Sequence, residues 1–297
     1  MSLNRRDFLA ASGFAAGSLL LAGHNRPLRA AEEKGADIKY GLVTYQWAKD
    51  WDVQTLLKNM QASGVLGVEL RTTHKHGVEP TLTDAERDDV RKQFADAGLT
   101  LVGIGSDERF DNPDPAILKK AIEATKGFIQ LSHDVGGSGV KVKPDKFHPN
   151  VDKQKTIEQI GKALNEVGEY ANGFGQQIRL EIHGQCAQLP TIKAIIDIAD
   201  NPNVALCWNS NPQDLEDPGL EHNFNLVKDR FGETCHIHRM EQKTYPHQQL
   251  IDLMVGIDYR GWMMLEEGVI PDDIVGELTR ERELFDAMLA DARQRVG

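Results

Sequence analysis

A carboxylate and an imidazole stand two residues apart inside a short apolar run near the middle of the chain. The run reads IRLEIHG, residues 178–184, and it contains Glu181 and His183. On a β-strand, residues two apart point to the same face of the sheet, so both side chains would lie together. Ionised groups are rarely buried unless they are paired or hold a metal ion. The pattern therefore indicates either a structural ion pair or a site that does chemistry.

Polar side chains of the same kinds end three other apolar runs. One such residue at one strand end is ordinary, because it can cap a helix, pair with a lysine or form a structural hydrogen bond. Four runs in succession that end this way favour a shared metal site. Oxygen and imidazole nitrogen ligands, with no thiolate required, suit Mn²⁺, Mg²⁺, Co²⁺ or Zn²⁺. The further residues are Asn209 and Asn211 in CWNSN, His236 and His238 in HIHRM, and Glu266 in WMMLEE.

The elements that would position these residues follow from eight short apolar runs that alternate with longer amphipathic segments. An open doubly wound sheet is the main rival, but it favours a glycine-rich turn after its first strand. Residues 43–47 (VTYQW) contain no glycine. We therefore predict an α/β fold, a (β/α)₈ barrel that forms a single domain over residues 36–297, with the strand ends meeting at one face. The predicted strands are residues 39–44, 65–70, 99–104, 139–143, 177–183, 203–208, 234–238 and 261–266.

The first 31 residues have the features of a twin-arginine export signal. Arg5 and Arg6 precede an uncharged run of small and apolar residues, 10–23, and alanines follow at positions 30 and 31. Such a basic start and apolar middle are typical of export signals. The run is too short, and too diluted by glycine and alanine, for a stable membrane span. The sequence thus predicts a periplasmic protein exported by the Tat machinery, without a permanent membrane anchor.

The overall charge argues against one class of partner. The chain has a net charge of −11, and its first 31 residues are basic, so the remainder is more acidic still. An acidic surface repels phosphate backbones, which argues against nucleic-acid binding. The three cysteines include no Cys-x-x-Cys pair and do not form a disulfide framework. The chain also lacks a His-Glu-x-x-His zinc motif, a Gly-x-Ser-x-Gly elbow and a Walker loop.

Six stretches taken together resemble the xylose-isomerase-like TIM barrel superfamily, in its sugar (phosphate) isomerase/epimerase family. They are most similar to its exported bacterial branch, and the resemblance extends from about residue 38 to residue 290. The six stretches are GVELRTTHKHGVEP (67–80), GVKVKP (139–144), IRLEIHG (178–184), CWNSN (207–211), HIHRM (236–240) and YRGWMMLEE (259–267).

The resemblance implies one divalent metal ion, held by a Glu, an Asp, a His and a Glu from strands five to eight. Glu181, His236 and Glu266 match three of these ligands, whereas Asn209 stands where many members have Asp. Asparagine offers a carbonyl oxygen without charge, so this chain should bind its metal more weakly. The departure leaves open that Asn211 or His183 completes the ligand set.

The family's chemistry implies roles for the two glutamates and their neighbours. Glu181 and Glu266 would be catalytic, one removing the proton next to the metal-bound carbonyl of a sugar and the other returning a proton to the enediolate. Glu69 and Arg71 are expected to form a structural ion pair, and Trp208 either stacks on the sugar or belongs to the core. The expected substrate contacts are Lys143, His183, Asn211 and His238.

These expectations lead to a metal-dependent sugar isomerase or epimerase of carbohydrate metabolism, acting on a small sugar or sugar derivative. A lyase or glycosidase-like enzyme that eliminates from 3-keto-glycosides is the main alternative, because proton removal next to a ketone can also end in elimination. A non-catalytic periplasmic sugar-binding protein is a further alternative. The sequence is compatible with a homo-oligomer.

Overall fold

Eight parallel β-strands form a barrel in the computed structural model, which describes residues 34–296. Their positions confirm the eight strands predicted from the sequence, with β3 extending five residues beyond its predicted end. The strands are β1 (Lys39–Val43), β2 (Gly67–Arg71), β3 (Thr100–Arg109), β4 (Gly139–Lys143), β5 (Gln177–Glu181), β6 (Val204–Cys207), β7 (Thr234–Ile237) and β8 (Trp262–Leu265).

A helix follows each strand on the outside of the barrel, which confirms the (β/α)₈ fold. A capping box begins the second helix, because Thr83 N donates to Glu86 Oε2 at 2.7 Å and Glu86 N donates to Thr83 Oγ1 at 3.4 Å. The helices are α1 (Val53–Ser63), α2 (Asp84–Asp96), α3 (Pro115–Asp134), α4 (Lys153–Asn172), α5 (Leu189–Ile198), α6 (Leu220–Asn225), α7 (His247–Gly256) and α8 (Ile274–Val296). None of the described helices is long and apolar enough to cross a membrane.

The ladder between β6 and β7 is the weakest part of the barrel and is reduced to isolated bridges. The strands pair in the order β6-β5-β4-β3-β2-β1-β8-β7, so closure requires contact between the two ends of this series. Asn209 and His236 form one bridge there. His236 N donates to Trp208 O at 2.6 Å, and Ser210 N donates to His236 O at 3.2 Å. Two of the predicted metal ligands therefore lie at the closure of the barrel, and their backbones help to make it.

The lower part of the barrel is filled by the guanidinium group of Arg179, which is fully buried. This group donates to Gln177 Oε1 at 3.0 Å and to Ser138 Oγ at 2.6 Å. A Cβ atom at Gly139 would lie 2.9 Å from Arg179 Cζ, and one at Gly103 would lie 3.1 Å from Arg179 Nη1. The backbone is closer still, because the same Cβ atoms would lie 2.6 Å from Gln177 O and 2.6 Å from Gly139 O respectively. Glycine is needed at both positions because a neighbouring strand carbonyl and the guanidinium group together occupy the space that a side chain would take.

Trp208 belongs to the core and not to a sugar-stacking wall, because it is fully buried. Its ring meets Phe224 and Phe231 edge-on, with centroid distances of 5.7 Å to each. Edge-to-face aromatic pairs of this kind add to the stability that apolar burial provides. The cluster fixes the end of β6 and therefore the position of Asn209.

We expect Trp208→Ala to lower the free energy of unfolding by about 3–5 kcal/mol, because the substitution leaves a large cavity in the core. Chemical denaturation followed by circular dichroism measures this loss. Trp51→Ala is the matched control, since Trp51 is only partly buried and packs at the edge of the core. A loss at Trp208 no larger than that at Trp51 would contradict the assignment.

Candidate metal centre

Glu181, His236 and Glu266 converge at the C-terminal mouth of the barrel. Their potential ligand atoms all lie within 4.8 Å of one another, and all three residues are buried. Glu181 Oε1 lies 3.5 Å from His236 Nδ1, and Glu266 Oε2 lies 3.2 Å from the same nitrogen. Three of the four residues that the sequence predicted as ligands therefore form one group around a single imidazole nitrogen.

Asn209, the fourth predicted ligand, lies beside this group. Its Nδ2 donates to Glu181 Oε1 at 2.9 Å, whereas its buried Oδ1 has no hydrogen-bond partner within the described part of the chain. A buried acceptor without a partner is unfavourable, and a carbonyl oxygen is a suitable ligand for a hard cation. Two carboxylates, one amide oxygen and one imidazole nitrogen form a donor set that fits a divalent metal ion.

Glu69 supports His236 from the side opposite the acids. His236 Nε2 lies 3.1 Å from Glu69 Oε1, and both side chains are buried. Metal-binding histidines usually have their second ring nitrogen bonded to a carboxylate or carbonyl, which fixes the tautomer and the ring orientation. The expected pairing of Glu69 with Arg71 is wrong, because Arg71 pairs with Glu266 and Asp107 instead.

In each catalytic glutamate candidate, the carboxylate oxygen that does not contact His236 is called the outer oxygen. A basic side chain lies near each outer oxygen. Lys141 Nζ lies 2.8 Å from Glu181 Oε2, and Arg71 Nη1 lies 3.3 Å from Glu266 Oε1. The sequence analysis assigned no role to Lys141, although the alternation in KVK places Lys141 and Lys143 on the same face of β4. This alternation is the signal from which the sequence could have predicted that Lys141 faces the barrel interior.

Positive and negative side chains within the cluster compensate each other's charges. Burial by itself would raise the pKa of both glutamates, but Lys141 and His236 hold the pKa of Glu181 well below its usual range, and His236 chiefly lowers that of Glu266 to about 2. Burial would lower the pKa of His236, yet the neighbouring Cys207, Glu69 and Glu266 raise it well above the ordinary value. In the metal-free protein, an imidazolium thus contacts three carboxylates, those of Glu181 and Glu266 at Nδ1 and that of Glu69 at Nε2, and a metal ion would replace its Nδ1 proton.

The family model for the xylose isomerase-like TIM barrel matches residues 57–280. The chain belongs to this family. The match confirms the family predicted from the sequence motifs. None of the curated protein sequences matches the chain.

Solved structures with the same fold include two epimerases and a probable dehydratase. An L-ribulose 3-epimerase shares 16% identity at a TM-score of 0.73, covering 87% of this chain and 96% of its own. A 3-keto-D-glucoside 4-epimerase from E. coli shares 13% identity at a TM-score of 0.71, covering 84% and 99%. The probable 3-DHS dehydratase AsbF from Bacillus anthracis shares 15% identity at a TM-score of 0.66, covering 84% and 98%. At such identities these likenesses show the shared fold alone.

Two of the four residues expected to contact substrate pair with aspartates. His183 Nδ1 lies 3.0 Å from Asp145 Oδ1, and the His183 side chain is about one-third exposed. Lys143 Nζ lies 3.0 Å from Asp107 Oδ1. These two side chains reach the open mouth of the barrel.

The other two expected contacts bond to the backbone. His238 Nδ1 lies 2.8 Å from Glu266 O, and Asn211 Nδ2 donates to Ile182 O at 2.7 Å. His183 lies outside the converging group, and Asn211 bonds to the backbone at Ile182, whereas Asn209 bonds to Glu181 directly. Asn209 therefore remains the fourth ligand candidate.

A cavity of about 380 Å³ opens beside the cluster, between the loops that follow β6, β7 and β8. Its lining includes Ser210, His238 and Glu267, each within two residues of a ligand candidate, and Tyr245. A volume of this size is in the range of small-molecule sites. Sequence reasoning missed Ser210, although it lies within CWNSN, because only the two asparagines of that stretch were considered as ligands, and it missed Tyr245 because that residue belongs to none of the recognised stretches.

Asp214 supports the loop after β6 from below. Its Oδ2 accepts hydrogen bonds from Tyr245 Oη at 2.8 Å and from Asn211 N at 2.9 Å. Burial raises the pKa of Asp214 to about 8, although these two hydrogen bonds oppose the shift. The side chain therefore carries a proton over much of the neutral range.

We expect Asp214→Asn to reduce the pH dependence of stability. The folded protein keeps the Asp214 proton up to about pH 8, whereas the unfolded chain releases it at the ordinary pKa, so stability falls as pH rises between these values. The variant should lose less stability between roughly pH 5 and pH 8, by at least about 1 kcal/mol. Urea denaturation at several pH values measures this difference, and an unchanged pH slope would contradict it.

Proposed function

We propose that this chain is a sugar isomerase or epimerase that depends on one divalent metal ion, Mn²⁺, Mg²⁺, Co²⁺ or Zn²⁺. Glu181, Asn209, His236 and Glu266 would hold the ion. The observation that carries the proposal is the buried convergence of two carboxyl groups on one imidazole nitrogen at the C-terminal mouth of the barrel. Two structural neighbours, an L-ribulose 3-epimerase and a 3-keto-D-glucoside 4-epimerase, support the choice of substrate class.

Glu181 and Glu266 would act as the acid and base. When bound, the divalent ion would polarise the sugar carbonyl and stabilise the negative charge that develops on its oxygen. One glutamate, as the carboxylate, accepts the proton from the hydroxyl-bearing carbon next to the carbonyl, which leaves an enediolate. The other glutamate, in its protonated form, returns a proton to the opposite face of that carbon, so the two glutamates exchange protonation states in each turnover. Each glutamate has one oxygen paired with a basic side chain and one that faces His236, so the orientation of each carboxyl group is fixed.

The mouth of the barrel supplies groups that could orient the sugar. Lys143 and His183 each bond to one aspartate, and both remain near the opening, where hydroxyl groups of a sugar could exchange for these partners. His238 and Asn211 bond to backbone carbonyls and hold the loops around the cavity in place. We propose that all four residues belong to the substrate site. Lys143 and His183 would contact the sugar directly, whereas His238 and Asn211 would hold the surrounding loops in position.

We also propose export to the periplasm by the Tat machinery. The twin-arginine pattern in residues 1–31 supports this, and these residues lie outside the described part of the chain. The Tat route carries folded proteins, so a metal ion could be inserted in the cytoplasm before export. The choice of metal would then depend on cytoplasmic availability, which often decides metal identity in proteins.

Elimination from a keto-sugar is the second candidate function, and one structural neighbour favours it. A probable dehydratase shares the fold at a TM-score of 0.66. Dehydration and epimerisation can begin with the same proton removal and differ in whether a leaving group departs or the proton returns.

Elemental analysis of the purified protein, followed by proton NMR in D₂O with ketoses and 3-keto-glycosides, tests both functions. We expect one bound divalent metal ion per chain and exchange of the proton next to the carbonyl, with a product of equal mass. Two fragments or loss of water would favour elimination. Sugar binding without any exchange would overturn both enzymatic functions and favour a sugar-binding protein.

We expect Glu266→Gln to lower kcat by roughly 10²–10⁴-fold or more, because the amide can neither accept nor return the proton. Circular dichroism should show an unchanged fold. Glu233→Gln is the matched control, since Glu233 immediately precedes β7 at the opposite end of the barrel and pairs with Arg179. Full turnover by the Glu266 variant would refute the assignment.

We expect Asn209→Asp to bind Mn²⁺ about tenfold more tightly or better, because the substitution adds a negative charge to the ligand set. Isothermal titration calorimetry on the metal-free protein measures the affinity. Asn211→Asp, two residues further on and outside the converging group, should change it much less. Equal effects at the two positions would argue against Asn209 as the ligand.

A further inference from the structure

The two oxygens of each catalytic glutamate candidate lie in different surroundings. In Glu181, Oε1 faces Asn209 and His236, whereas Oε2 lies 2.8 Å from Lys141 Nζ. In Glu266, Oε2 faces His236, whereas Oε1 lies 3.3 Å from Arg71 Nη1. A basic group of the protein thus holds the outer oxygen of each acid, and the inner oxygens remain for a metal ion.

The ammonium group of Lys141 is the more deeply buried of these two basic groups. Lys141 is fully buried, and within residues 34–296 the only carboxylate in ion-pairing distance is that of Glu181. Despite the short distance, neither Lys141 Nζ nor Glu181 Oε2 has an aligned hydrogen bond in the described chain. The pair is therefore held by charge attraction more than by directed bonding.

Lys143 provides a contrast on the same strand. Its ammonium group lies 3.0 Å from Asp107, whose side chain is half exposed and also pairs with Arg71 and Arg109. Solvent and the neighbouring carboxylate screen the charge of Lys143, whereas the charge of Lys141 acts directly on a metal-ligand candidate in a low-dielectric environment.

We propose that Lys141 is a positioning residue that weakens metal binding, because its ammonium group neutralises Glu181 and repels a divalent ion. This inference rests on the proposed function, since it requires that Glu181 is a metal ligand. Together with the uncharged ligand Asn209, Lys141 keeps the metal affinity below that of an otherwise equal site without the ammonium group. The opposing effect, in which Lys141 merely orients Glu181 for the ion, predicts that its removal weakens binding.

Two neutral substitutions separate these effects. Lys141→Met removes both the charge and the hydrogen-bond donors, and Lys141→Gln removes the charge but keeps a donor for Glu181 Oε2. Lys143→Met is the matched control. Circular dichroism checks that each full-length variant is folded, and isothermal titration calorimetry with MnCl₂ at fixed pH measures the dissociation constant of the metal-free protein. The rise in Tm on adding MnCl₂ provides a second readout, because a tighter ligand stabilises the folded state more.

We expect both Lys141 variants to bind Mn²⁺ at least tenfold more tightly than the unsubstituted chain and to show a larger rise in Tm, with less than a threefold change in Lys143→Met. Measurable binding in the unsubstituted chain with equal or weaker binding in the Lys141 variants would overturn this inference and leave the proposed function standing. Failure of every protein to bind any of Mn²⁺, Mg²⁺, Co²⁺ and Zn²⁺ would overturn the metal-dependent function together with this inference. If Lys141→Met does not fold, the Gln variant decides by the same criteria.

Discussion

The burial of three carboxylates around one imidazole is the constraint on which the rest of the site depends. Glu69, Glu181 and Glu266 all lie in the barrel interior and contact His236. Ionised carboxylates leave water only if opposite charges replace their hydration. His236 supplies one positive charge, and Lys141 and Arg71 supply two more. The metal-free site is therefore organised before any ligand arrives.

This charge balance also holds the barrel together where its hydrogen-bond ladder is thinnest. The strands β6 and β7 meet through isolated bridges, one of them between Asn209 and His236. The side chains of the same two residues bond to glutamates from β5, β2 and the end of β8. Closure of the barrel and construction of the site are consequently achieved by the same residues.

Strand alternation accounts for the vertical arrangement of the interior. Arg179 and Glu181 are two apart on β5, and Lys141 and Lys143 are two apart on β4, so each pair projects inward at successive levels. Arg179 fills the bottom, Lys141 meets Glu181 at the level of the proposed ion, and Lys143 reaches the mouth. A one-residue shift in the pairing register of either strand would point these charged side chains outward, into the apolar layer between the strands and the helices.

The sequence alone determined the barrel, its eight strands, the family and three of the converging residues, Glu181, His236 and Glu266. It could do so because strand periodicity and the residue types at strand ends are local properties of the chain. Tertiary structure alone decided that Glu69 bonds His236 and that Lys141 bonds Glu181. Those partners lie 167 and 40 positions apart along the chain, and several glutamates, lysines and arginines compete for each contact. The stagger of neighbouring strands round the barrel decides which of these side chains come into contact. That stagger is fixed only once the barrel has closed.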